Sequence, residues 1–256
     1  MGAAVCAAVE ADPELELVAA VDPAFAAPGA ASPGGGWRSG VGGVAMGHGP
    51  QVLAEAAAEV AVDFTVASAV VANAAWCAAN GVHAVVGTTG LSAGALSALR
   101  QGFEAGPANC VYAPNFAIGA VLLMRFAELA APWFESVEVV ELHHDAKLDS
   151  PSGTALLTAE RISAARQGRG PSASPSAADI GPARGSEAAP GVRVHSVRLR
   201  GLVAHEEVLF GTTGQVLTLR HDSLDRSSFM PGVVLAIKAV PGRRGFTVGL
   251  DALLGL

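Results

Sequence analysis

Three observations predict an α/β fold, with a doubly wound parallel sheet joined to a second α+β unit built on an open mixed sheet. Through residues 1–116, short branched apolar runs alternate with helical patterns, as in a parallel sheet with crossover helices. From residue 137 onward, runs that alternate apolar and polar residues take over, as in strands with one solvated face. A long apolar helical stretch, 117–133, separates the two regimes, and a helix-strand pattern at the end returns to the first. The boundaries that follow are 1–116 with 228–256 for one unit and 117–227 for the other.

Residues 2–10 are alanine-rich and read as a helix stopped by Asp12-Pro13. Residues 15–22 read as a strand ending in Asp22. An acid there hydrogen-bonds the adenosine ribose in dinucleotide folds, and an Asp before Pro23 is equally a common turn start. The Gly-, Ala-, Pro- and Ser-rich segment 26–49 reads as a loop. A short helix at 51–59 precedes a buried strand at 60–65, and helix 67–80 is closed by Gly81. Strand 82–86 runs into Gly87-Thr88-Thr89-Gly90. Helix 91–101 follows, and 110–116 is a strand with its exit. His83, inside a strand, reads as structural. Ligands of open parallel sheets bind beyond the carboxyl ends of the strands. Phe64-Thr65, Gly87-Thr88-Thr89 and Ala113-Pro114-Asn115-Phe116 all fall at such ends. Gly-Thr turns are common and each alone is weak; three at successive strand ends single out that edge of a Rossmann-like sheet.

The densest polar cluster is Glu141-Leu142-His143-His144-Asp145-Ala146-Lys147-Leu148-Asp149-Ser150-Pro151-Ser152-Gly153-Thr154-Ala155, between an apolar strand, 137–140, and a helical pattern, 155–162. Histidine titrates nearest neutrality, so one of the pair can give or take a proton. Lys147 is a compact cation. Ser152-Gly153-Thr154 opens a helix, whose first N–H groups lack internal partners and attract anions. Gly153 has no Cβ, so a ligand can approach its backbone. Of the 16 basic residues only Lys147 and Lys238 are lysines, which sets Lys147 apart from an ordinary solvated charge. A plain surface loop with exposed His and Lys is the competing reading on composition alone.

Beyond the cluster, 167–191 reads as a mobile loop of the kind that closes over sites, with Arg184 either reaching an anion or solvated. Residues 192–199 alternate as a half-exposed antiparallel strand. Residues 204–210 and 215–222 form a hairpin around Gly211-Thr212-Thr213-Gly214. His195, His205 and His221 read as structural or interfacial. A helix opens at Phe229-Met230-Pro231-Gly232, and 245–250 is the last strand.

At 256 residues the chain can bury a substantial core. No long uncharged apolar run suggests a membrane span. The start, Met1-Gly2-Ala3-Ala4-Val5-Cys6, lacks a basic region and is no convincing signal peptide. Three scattered cysteines without CxxC spacing argue against a disulfide framework and a metal site, and fit a reducing cytoplasm. A net charge of −7 gives no reason to expect nucleic acid, and means that local cations must draw an anionic substrate.

The stretch 141–155 resembles the signature of the 4-hydroxy-tetrahydrodipicolinate reductase (dihydrodipicolinate reductase) family, enzymes of bacterial lysine biosynthesis that use a nicotinamide cofactor. His221-Asp222-Ser223-Leu224-Asp225-Arg226-Ser227-Ser228-Phe229-Met230-Pro231-Gly232 is a second match. The resemblance runs from Met1 to the end, with 26–49 and 167–191 divergent. It implies reduction of 4-hydroxy-tetrahydrodipicolinate to tetrahydrodipicolinate with loss of water. His143 would be the proton donor or acceptor, Lys147 a second proton donor, and His144, Ser152, Gly153 and Thr154 the binders of a dicarboxylate. It also implies that Phe64, Thr65, Gly87, Thr88, Thr89, Ala113, Pro114, Asn115 and Phe116 line the cofactor site. Gly2 and Asp22 complete it, Met1-Gly2 resembling the last two residues of a Gly-x-x-Gly-x-Met-Gly turn. The preceding strand and most of that turn are then expected upstream of Met1. Members are typically tetrameric through the second unit. Asp22 favours NADH, with NADPH use expected as well: Pro23 stands where a basic residue often follows, and Arg38 can compensate. Competing readings are a non-catalytic relic and a different two-domain dehydrogenase. The intact His-His-x-x-Lys and Ser-Gly-Thr set argues against the first. The double histidine, and the lack of a Cys positioned as a nucleophile, argue against the second.

Overall fold

The structure, a computed structural model, describes residues 1–23, 44–166 and 182–256. In chain order the regular elements are α1 (Gly2–Ala11), β1 (Ala19–Val21), β2 (Ala45–Gly47), α2 (Gln51–Glu55), β3 (Val60–Asp63), α3 (Ala67–Asn80), β4 (His83–Val86), α4 (Ala93–Ala105) and β5 (Cys110–Tyr112). There follow α5 (Ile118–Ala130), β6 (Ser136–His143), α6 (Gly153–Ala165), β7 (Ser186–Ala189), β8 (Val192–Arg198), β9 (Ala204–Thr212) and β10 (Gln215–Ser223). The chain ends with α7 (Met230–Ala239), β11 (Phe246–Val248) and α8 (Asp251–Leu254). These elements gather into two compact units, Met1–Phe116 with Phe229–Leu256, and Ala117–Ser228.

The first unit is α/β and Rossmann-like. Its four-stranded sheet has the order β11-β5-β4-β3, all parallel. Valine-rich β4 is buried along most of its length because helices cover both faces of such a sheet. Val70, Ala74 and Cys77 of α3 pack with Leu99 and Phe103 of α4 against β4 and β5. Gly81 closes α3 in the left-handed region, at φ 74°, where a side chain would be strained. The parallel pair β1-β2 forms a separate two-stranded sheet. The loop expected over 26–49 therefore contains a strand, while its residues 26–43, Arg38 among them, lie outside the described set. Ala45, Met46 and Gly47 carry no strand propensity of their own. The strand exists because Ala45 N–H reaches Val18 and Gly47 receives Asp22 N–H. β1 is shorter than the predicted 15–22, and α8 was not expected.

The second unit is a five-stranded mixed sheet, order β10-β9-β6-β8-β7, with α5 and α6 packed on it. Val137 and Val139 of β6, Val192 and Val194 of β8, and Val208 and Phe210 of β9 face one way and meet Ala155, Ala159 and Ile162 of α6. β8 runs parallel to β6 and antiparallel to β7, so it is not purely antiparallel as its alternation suggested. The tract 167–191 likewise ends in structure. Pro182–Arg184 is a single 3-10 turn and Ser186–Ala189 the edge strand β7. Its residues 167–181 lie outside the described set. The hairpin β9-β10 turns at Thr213-Gly214, with Gly214 at φ 80°.

Candidate active site

Side-chain parity on β6 builds the polar cluster. Val137 and Val139 face the core, so Glu141 and His143, two and four residues further, share their face. The same parity on β8 carries Val192 and Val194 on to Ser196 and Arg198, and on β9 places Glu206 beside Val208 and Phe210. One end of an apolar sheet face is thus charged. In register, His143 lies beside Arg198, and Glu141 lies between Ser196 and Glu206.

Glu141 is fully buried. Arg198 grips it with two donors, one to each carboxylate oxygen, both at 2.8 Å. The Oε2 atom also lies 2.5 Å from His143 Nδ1, and Oε1 accepts the Ser152 N–H at 3.2 Å. Burial alone would raise the Glu141 carboxyl. Hydrogen bonds from Arg198, Ser196 and His143 outweigh it and hold the group below its ordinary value. Burial lowers His143, and the charges of Lys147 and Arg198 add to that, against the pull of Glu141. Arg198 further donates to the carbonyls of Lys147 at 3.3 Å and Asp149 at 2.6 Å, pinning the loop that carries Lys147.

Ser152 caps α6, its Oγ accepting the Ala155 N–H at 3.2 Å. Gly153 is exposed, and a Cβ built on it would meet nothing within 4 Å, so the helix start is open to a ligand. Thr154 follows in the first turn, whose N–H groups the helix itself cannot satisfy. Lys147 is not a bare cation: its Nζ bonds both oxygens of Asp149, at 2.7 and 2.8 Å. His144 is exposed, with its carbonyl receiving the Lys147 N–H. Arg184, a possible anion contact by sequence, is engaged with Glu138 at 2.6 Å. His195 bonds the same Glu138, and His205 bonds Asp222.

Glu206 was not singled out by sequence. It is buried, its Oε1 has no hydrogen-bond partner among the described residues, and burial pushes its carboxyl up to about 7, with Thr158 acting against and Glu141 with that shift. A raised folded-state value means the fold binds this proton more tightly than the unfolded chain. The stability is complete below the ordinary value of 4.5 and is lost as pH rises through about 7. Glu206→Gln keeps the shape and removes the ionisation. It is expected to stabilise the protein at pH 8, by on the order of 3 kcal/mol at most, and to change little at pH 4.5. Thermal melts at the two pH values check this.

In the first unit the strand ends come together. Asp63, at the end of β3, accepts from Thr65 N and Oγ1 at 2.9 and 2.7 Å, Thr88 Oγ1 at 3.0 Å and Asn73 Nδ2 at 2.8 Å. Gly87 N–H reaches the Asp63 carbonyl, and Ala113 N–H reaches Val86. Phe64 packs on Phe116 with ring centroids 5.4 Å apart. A Cβ at Gly87 would stand 2.1 Å from the Phe64 ring, so any larger residue there would have to displace that ring. Thr65, Thr89 and Pro114 are exposed at this edge and Asn115 is half-buried. Gly2 begins α1, which has no side-chain cap, and Asp22 follows β1, its N–H bonded to Gly47. Among the described residues no group of three or more His, Cys, Asp or Glu side chains is placed to hold a metal ion.

Residues 1–116 match the family model for the dihydrodipicolinate reductase N-terminus, and residues 119–254 match the one for its C-terminus. A 4-hydroxy-tetrahydrodipicolinate reductase of Nocardia farcinica is 51% identical over 100% of this chain and 95% of its own length. One of Streptomyces coelicolor is 46% identical, with 100% and 94% covered. Among solved structures, a dipicolinate-bound dihydrodipicolinate reductase of Paenisporosarcina sp. TG-14 superposes with a TM-score of 0.82 at 36% identity, over 97% of this chain and 93% of that one. The chain belongs to the dihydrodipicolinate reductase family.

Proposed function

We propose that this chain reduces 4-hydroxy-tetrahydrodipicolinate to tetrahydrodipicolinate, using NADH or NADPH, on the diaminopimelate route to lysine. The observation that carries the reading is the second unit's cluster, in a chain of this family. His143, Lys147 and an open helix N-terminus at Gly153 lie within one strand-loop-helix stretch. The reaction balances as substrate plus reduced dinucleotide plus a proton, giving product, oxidised dinucleotide and water. When bound, the dinucleotide supplies the hydride.

His143 and Lys147 handle protons, and His144, Ser152, Gly153 and Thr154 hold the dicarboxylate. The physics supports these roles. Gly153 leaves the helix start bare, and a substrate carboxylate can replace Asp149 on Lys147, exchanging one anion for another. The dinucleotide belongs to Phe64, Thr65, Gly87, Thr88, Thr89, Ala113, Pro114, Asn115 and Phe116, with Gly2 and Asp22. The Asp63 bonds that fix the Thr65 and Thr88 turns, with Thr65 and Thr89 exposed beside them, fit such a ligand. Asp22 favours free ribose hydroxyls over a 2′-phosphate.

The enzyme works in the cytoplasm as a homotetramer formed through the second unit, with no nucleic-acid or membrane partner. Three free cysteines suit a reducing compartment, and β10 is an edge strand with Val216 exposed. Among the described residues no helix is long and apolar enough to cross a membrane.

Steady-state oxidation of each dinucleotide with freshly prepared substrate tests the reading. Turnover is expected with both and a higher kcat/KM with NADH. Strong preference for NADPH overturns the Asp22 assignment, and no turnover with either overturns the function.

A further inference from the structure

We propose that Glu141, clamped by Arg198, is a positioning residue: it holds the Nδ1 proton of His143 on one oxygen and the Ser152 N–H on the other. One buried carboxylate then sets both the tautomer of the proton-transfer histidine and the seat of the anion-binding turn. The proposal rests on the assignment of His143 above.

A census of donors supports it. Oε1 receives Arg198 and the Ser152 N–H, and Oε2 receives Arg198 and faces His143 Nδ1. An ionised carboxylate only accepts, so the contact at 2.5 Å requires a proton on Nδ1. Nε2 is left as the nitrogen that takes and gives the working proton. When it does, the imidazolium faces a carboxylate that is already ionised and needs no reorganisation. Among the described residues, the other charged groups acting on the pair are Arg198 from β8, Glu206 from β9, and Lys147 and Asp149 from the loop after β6. Ser152, at the start of α6, adds its backbone N–H, Ser196 of β8 adds a hydroxyl, and the Thr158 hydroxyl of α6 faces Glu206.

Glu141→Gln discriminates. Its amide must turn an N–H₂ toward one of the two donor sets. An Arg198 donor stands in both sets, so the sets differ only in their other member: Ser152 N–H cannot yield, whereas His143 can by moving its proton to Nε2. The variant is therefore expected to invert the histidine's tautomer. Long-range ¹H–¹⁵N correlation of the imidazole rings reads this without substrate. The wild type is expected to carry Nδ1–H on neutral His143, and Glu141→Gln to carry Nε2–H. The kcat is expected to fall about 10²-fold or more, as for a wrong tautomer elsewhere, with the dinucleotide KM unchanged. Because Glu141 acts through His143, the double variant with His143→Gln is expected to match His143→Gln alone within about threefold. Nε2–H in the neutral wild type overturns the proposal, even if the variant does not fold. So does an unchanged kcat, or losses that multiply in the double variant. A wild type with Nδ1–H but no turnover would instead sink the functional assignment.

Discussion

Replacing His143 with Gln is expected to lower kcat roughly 10²–10⁴-fold, the usual cost of losing one general acid or base, with a smaller change in KM. Glutamine keeps a hydrogen-bonding group near Glu141 and removes the group that titrates near neutrality. Burial holds His143 below its ordinary value of 6.5, so wild-type activity should show a titration on the acid side of that value. The variant's residual activity should lack it. Steady-state kinetics across pH check both points. An unchanged kcat would remove His143 from the chemistry.

Arg198→Met is expected to cost about 3 kcal/mol or more of folding stability, because it strands the fully buried Glu141 carboxylate. Ser152 N–H, Ser196 and His143 still bond Glu141, which keeps the loss toward the lower end. The sign with pH follows from the depressed Glu141. A lowered folded-state value contributes stability that is present above 4.5 and lost as pH falls below it. The gap between wild type and variant should therefore narrow in acid. Urea melts at neutral and acid pH measure it. A loss under about 1 kcal/mol would mean that the guanidinium is replaceable.

The site was legible where its residues are contiguous. The stretch 141–155 states its chemistry locally: a capping Ser152, a bare Gly153, two histidines and a rare lysine. Helix 67–80 with Gly81 was legible for the same local reason. Arg198 was not, because its role depends on the β6-β8 register across a separation of 57 residues. Parity offered a signal. Val137, Val139 and Glu141, like Val192, Val194, Ser196 and Arg198, fall on one face, and an arginine continuing a core face implies a buried carboxylate. Glu206 continues Val208 and Phe210 in the same way. Asp63 drew no notice inside the strand read over 60–65, because the four bonds its carboxylate accepts come from three different segments. β2 was invisible because Ala45, Met46 and Gly47 become a strand only by pairing with β1.

The most direct test of the central claim is the stoichiometry of turnover. Purified protein is mixed with a limiting amount of freshly prepared 4-hydroxy-tetrahydrodipicolinate and excess NADH. Loss of nicotinamide absorbance is followed while tetrahydrodipicolinate is quantified. One dinucleotide oxidised per product formed, abolished by His143→Gln on the same timescale, is the predicted result. NADH loss without tetrahydrodipicolinate, or no loss from a folded protein at any substrate concentration, would contradict the account.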